Sequence, residues 1–117
     1  MRSLKFAVAA IAILAAGLSV QAEPSFALVK STITRGENPQ AKYSQALAAP
    51  AGNQYWITVC KAGAADSAWG SWQYCKNGDT NAFLAPQVQA GDYEIRLHAP
   101  YPKKSHGVIF RVAVEVK

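Results

Sequence analysis

The chain has 117 residues, is half hydrophobic and 16% charged, and carries twelve Lys and Arg against seven Asp and Glu, a formal net charge of +5. That length excludes a multidomain enzyme, and so small an excess of scattered cations excludes a dedicated nucleic-acid footprint.

Residues 1–22 open with Arg2 and Lys5, run apolar from Phe6 to Val20 and end on Val20-Gln21-Ala22. A basic start, a short apolar stretch and a small-residue terminus are the features of a bacterial Sec-type signal peptide. The apolar run, about 15 residues, is shorter than the ~20 that a spanning helix needs, so no stable membrane insertion is expected. The reading is a periplasmic or secreted protein beginning at Glu23, with residues 23–117 as one domain. Removing Arg2 and Lys5 leaves ten cations against seven acids, a net +3.

Beyond residue 22 nothing keeps a helical period. β-Branched and aromatic residues recur in short runs parted by Gly, Pro, Asn and Asp, which predicts an all-β fold. The expected strands, in chain order, are residues 26–34, 41–47, 55–61, 71–75, 80–85, 93–98 and 107–117. The third is apolar on both faces and so central. Lys76-Asn77-Gly78-Asp79 reads as a tight turn between the fourth and fifth. The sixth alternates, with Tyr93, Ile95 and Leu97 on one face and Glu94, Arg96 and His98 on the other, and the last groups Val108, Phe110, Val112, Val114 and Val116. Seven strands at this spacing predict an immunoglobulin-like two-sheet antiparallel β-sandwich. Gly91-Asp92-Tyr93 fits either a tyrosine corner or an ordinary inward tyrosine.

In an oxidising compartment two cysteines are expected to form a disulfide. Bridging Cys60 and Cys75 requires their Cα atoms within about 7 Å, which sets Gly63 opposite Trp72 and Lys61 opposite Tyr74. Cross-strand partners share a face. In that register Tyr55, Ile57, Val59, Trp72 and Tyr74 face the core, and the disulfide lies outside with Trp56 and Thr58. The expected core is Ile57, Val59, Trp72, Tyr93, Ile95, Leu97, Phe110, Val112 and Val114.

Tyr55-Trp56-Ile57-Thr58-Val59, Ala62-Gly63-Ala64, Trp69-Gly70-Ser71-Trp72 and Gly91-Asp92-Tyr93-Glu94-Ile95-Arg96 follow one another in a distinctive order. Over roughly residues 55–97 the chain resembles the small β-sandwich domain that follows von Willebrand factor type A domains in some bacterial exported proteins, here free-standing. The resemblance implies an accessory binding or spacing module with no catalytic residues to carry over. The chain departs from that pattern in having Cys60 and Cys75 and in lacking an Asp-x-Ser-x-Ser metal site.

No constellation for chemistry emerges. Cys60, Cys75, His98 and His106 match none of the short ligand spacings of zinc sites. Ser71 and Ser105 lack a Gly-flanked elbow, Asp92 and Glu94 lie on one strand face rather than across a cleft, and there is no Gly-rich phosphate loop. Neither a metal nor a cofactor is expected, and the chain reads as non-enzymatic. Binding is the remaining class, with a protein partner expected and carbohydrate as an alternative through Trp56 and Trp69. The expected binding face is Trp56 and Thr58, then Glu94, Arg96 and His98, then Ile109 and Arg111, because neighbouring strands would align these outward residues and Trp and Arg dominate interaction hot spots. Its rival is the loop Tyr101-Pro102-Lys103-Lys104, which in an envelope inhibitor would enter the cleft of a hydrolase.

Overall fold

The computed structural model describes residues 23–102 and 107–117. The proposed signal peptide, Lys103, Lys104, Ser105 and His106 lie outside the described residues. The described chain is all β. Its strands are β1 (Phe26–Leu28), β2 (Thr32–Ile33), β3 (Gln40–Tyr43), β4 (Gln54–Lys61), β5 (Ser71–Tyr74), β6 (Asn81–Phe83), β7 (Gly91–Tyr101) and β8 (Val108–Val116). They form a three-stranded sheet, β1-β3-β6, and a five-stranded sheet, β2-β8-β7-β4-β5.

The two sheets pack as a β-sandwich. One contributes Phe26, Ala41 and Tyr43, the other Ile57, Val59, Ile95, Leu97 and Val114, and Leu47 and Leu84 join them from the connections. Ile57, Ile95 and Leu97 are wholly shielded from solvent. Each such side chain contributes about 1.5–3 kcal/mol through removal of apolar surface from water. The strict alternation of β7 is what allows this: period-2 residues Tyr93, Ile95 and Leu97 reach one face together. Tyr93 is buried, and its hydroxyl donates to the Gln89 carbonyl at 2.9 Å, four residues upstream. This is the tyrosine-corner contact.

The segment read as one first strand is two. The chain leaves the small sheet after Leu28, crosses at Lys30 and Ser31, and adds β2 parallel to β8, with Thr32 opposite Glu115 and Ile33 opposite Val116. Glu37 ties the crossover, accepting from Thr34 N at 3.1 Å and pairing with Lys30 at 2.6 Å. The Lys76–Asp79 turn has Gly78 at φ +94, which suits a residue without Cβ. The Asp79 carboxylate accepts from Lys76 N at 2.8 Å. Rather than closing a hairpin, the turn carries the chain from β5 in one sheet to β6 in the other.

The fourth strand pairs in a register different from the one expected. Trp56 lies opposite Tyr74, Ile57 opposite Gln73, Thr58 opposite Trp72 and Val59 opposite Ser71. The offset from the bridged register is odd, so every side chain of β5 changes face. Cys60 and Cys75 stand on opposite faces of the sheet as free thiols, and the expected disulfide is absent. Cys75 lies in the inter-sheet core with its Sγ 3.2 Å from the Tyr43 hydroxyl, while Cys60 lies on the outer face opposite Glu94. Burial pushes the Cys75 thiol up to about 11 and raises that of Cys60 as well.

The same shift removes Trp72 and Tyr74 from the core; they are 49% and 44% exposed. Phe110, also expected inside, sits at the rim, 37% exposed, with its ring edge-on to Phe26 at 5.3 Å. A register irregularity between Leu97 and His98 accompanies it. Val112 packs against the core from a half-buried position.

Candidate functional site

The outer face of the five-stranded sheet brings together most of the residues singled out from the sequence. Trp56 lies opposite His98, Thr58 opposite Arg96 and Cys60 opposite Glu94 across β4 and β7, and Arg96 lies opposite Arg111 across β7 and β8. Their common face was legible from strand parity. Their burial was not: Thr58, Arg96 and His98 have no exposure and Trp56 only 6%.

The cover is the β4–β5 connection, residues 62–70, which crosses the sheet as a strap. Ala62-Gly63-Ala64-Ala65 carries so little side chain that its backbone can come close to the sheet. The Arg96 guanidinium donates to the Ala65 carbonyl at 2.9 Å and the Ala64 carbonyl at 2.5 Å, and pairs with Glu94 at 2.8 Å. A planar fork suits this task, because several fixed donors can serve two carbonyls and a carboxylate together. Arg111 fastens the strap from β8 through Asp66 at 2.9 Å and lies 3.6 Å from Glu94. The Arg111 guanidinium holds the exposed Asp66 carboxyl below its ordinary range. The strap ends at Gly70, where a Cβ would lie 2.2 Å from the Val59 carbonyl oxygen, so glycine is needed there for close approach rather than for a special φ.

Above β4 the rings form a connected series. Trp56 stacks on His98 at 3.7 Å and 13° and receives Trp69 and Trp72 edge-on at 5.7 and 6.1 Å. Its indole Nε1 is buried with no hydrogen-bond acceptor among the described residues. Trp72 continues edge-on to Tyr74 at 5.1 Å, and Tyr74 meets Tyr101 at 6.5 Å and 43°. Trp69, Trp72, Tyr74 and Tyr101 are between 44% and 49% exposed. Trp56 is therefore the buried foundation of an aromatic strip, and the rings in contact with solvent are its neighbours.

Sequence reasoning placed Trp72 and Tyr74 inside and so missed half of this strip. The signal that could have found them was an edge strand of four uncharged residues following a Gly/Ala-rich connection. Arg111 remains half-exposed. Tyr101, the first residue of the candidate loop, belongs to the strip, whereas Lys103 and Lys104 lie outside the described residues.

A cleft of about 440 Å³ opens alongside the strap, lined by Lys61, Ala68, Trp69, Val88, Gln89 and Tyr93 among others. The Lys61 ammonium lies 5.7 Å from the Tyr93 ring centroid. Among the described residues no group of three or more His, Cys, Asp and Glu side chains is placed to hold a metal ion, and no helix is long and apolar enough to cross a membrane. Compared with family models, curated proteins and solved structures, the chain gives no match.

Proposed function

We propose that the protein is an exported immunoglobulin-like β-sandwich that works by binding another envelope or secreted protein rather than by catalysis. The carrying observation is the strip Trp69, Trp72, Tyr74 and Tyr101, four large rings at least 44% exposed and linked by ring contacts along one sheet face. Tyr and Trp offer wide contact area with few rotatable bonds, and clustered exposed rings mark interaction surfaces. The strip stands on a foundation held by Arg96 and the strap, so its rings enter a complex already ordered, which lowers the entropic cost of association.

A protein fits the strip better than a sugar. The Trp72 and Tyr74 rings stand at 81° to each other and the Tyr74 and Tyr101 rings at 43°. Rings inclined at these angles offer a flat sugar no common stacking platform, while a protein surface can fill the angles between them. The strand order, with β2 parallel to β8 beside an antiparallel sheet, supports immunoglobulin-like wiring, and the resemblance over residues 55–97 supports an accessory module. Export rests on residues 1–22.

Pull-down from an envelope extract tests the reading. Wild-type protein should retain a protein partner that Trp72→Ala and Tyr74→Ala lose, with soluble oligosaccharides failing to compete. Retention unaffected by both substitutions, or competition by oligosaccharide alone, would replace this reading with the loop-inhibitor or carbohydrate alternative.

A further inference from the structure

β5 is the open edge of the five-stranded sheet, and the direction of its backbone groups follows from one bond. Cys75 N–H donates to the Tyr55 carbonyl at 2.8 Å. Continuing the β4–β5 register sets these two residues opposite each other, which makes them a hydrogen-bonded pair. Antiparallel pairs alternate between bonded and non-bonded. Ile57–Gln73 and Val59–Ser71 are then bonded, and Trp56–Tyr74 and Thr58–Trp72 are not. Trp72 and Tyr74 therefore turn their N–H and C=O groups away from β4, toward the open edge.

That edge is short, four residues, but carries none of the chemical guards. Ser71-Trp72-Gln73-Tyr74 contains no charge, proline or glycine, and all four residues are exposed. Exposed edges of natural sheets are commonly protected by shortness, lysine, proline, a bulge or a covering element, and here only shortness applies. Among the described residues no strand lies beyond β5.

We infer that β5 pairs with β5 of a second copy of this chain, antiparallel, about a two-fold axis through Gln73. Bonding on this edge requires that residues with outward backbone groups oppose one another. A two-fold at Gln73 does this, setting Trp72 against the second copy's Tyr74 and Tyr74 against the second copy's Trp72. Each of these pairs exchanges both main-chain bonds, so the same residues donate and accept on both sides, as an isologous contact demands. Trp72 and Tyr74 also share the outer face, which adds an aromatic cross-strand pair on each side of the axis. At the axis the two Gln73 amides, each donor and acceptor, can bond to each other. Lys76 would oppose the second copy's Gly70, so no like charges meet.

This goes beyond the binding reading. Edge pairing uses groups in the plane of the sheet, while the ring faces look out from it. A dimer leaves those faces open and joins two strips into one across a ten-stranded sheet.

Sedimentation velocity of the exported protein over a concentration series should show a monomer–dimer equilibrium. Gln73→Lys sets like charges against each other at the axis and should weaken association by about three- to tenfold. At a non-bonded antiparallel pair the Cα atoms are about 4.5 Å apart, inside the range for a disulfide. Gln73→Cys should therefore give an oxidised, covalent dimer, while Phe83→Cys, on the edge of the other sheet, should not. A monomer at every concentration overturns the inference. A dimer that tolerates Gln73→Lys, or that does not cross-link through Gln73→Cys, overturns this edge as its interface.

Discussion

Arg96→Ala is the most informative single substitution, because the residue is wholly buried yet its partners differ in what they lose. The wild-type guanidinium donates to Ala64 and Ala65 and pairs with Glu94. A hydrogen bond to a charged group contributes about 1.5–3 kcal/mol, but the terms do not add here. Once the strap lifts, the Ala64 and Ala65 carbonyls regain water. Glu94 is not stranded either, since its side chain is 20% exposed and Arg111 lies 3.6 Å away. The cost should fall at the low end of the ~3–5 kcal/mol typical of breaking a buried ion pair, near 3 kcal/mol. Urea denaturation followed by tryptophan fluorescence measures it directly. Hydrogen exchange supplies the second readout: amides of residues 62–70 should lose protection while those of β7 keep theirs at matched stability. A loss below about 1 kcal/mol, or a strap that stays protected, would refute the assignment of Arg96 as the anchor.

The thiols should be free but sealed, so native protein labels slowly without reductant and both cysteines react on unfolding. With Cys75 raised from the ordinary 9.0 to about 11, stability should be level below pH 9.0 and fall toward pH 11 as the unfolded chain ionises first; Cys75→Ala, followed by denaturation across that window, should shallow the fall. Gly70→Ala drives a Cβ against the Val59 carbonyl and should cost about 1–3 kcal/mol by urea titration, with a neutral result showing that the strap can rise without loss. Ile95→Ala should cost about 2–5 kcal/mol in the same titration, and Phe110→Ala, at the rim, about 1–2 kcal/mol; equal losses would put Phe110 in the core after all.

Alternation carried most of the reading where one face was apolar and the other polar. It aligned Tyr93, Ile95 and Leu97 on the core side of β7 and put Trp56, Arg96, His98 and Arg111 on one outer face. It could not tell that the outer face was roofed. Polar residues opposite the core are ordinarily in water, and only the small side chains of Ala62 to Ala65 hinted that a backbone could lie close above them. The larger error came from coupling two strands through chemistry that does not occur. Taking Cys60 and Cys75 as partners fixed the parity of β5 relative to β4, and one odd shift carried Trp72 and Tyr74 to the wrong side. A preference for large rings inside then agreed with the mistake. The β1–β2 division was hidden for another reason: a chain passing from one sheet to the other keeps its extended shape and its β-branched residues, so composition does not mark the crossing.

Cys60 and Cys75 lie on opposite sides of a hydrogen-bonded sheet, and that makes the native state indifferent to its redox surroundings. With both thiols free, the native state needs no oxidant and no disulfide exchange to be reached. Air or a thiol reagent can trap the chain only before the sheet closes over its cysteines. Yield on refolding should accordingly rise with added reductant and speed of collapse, the opposite of what a disulfide-dependent exported domain requires.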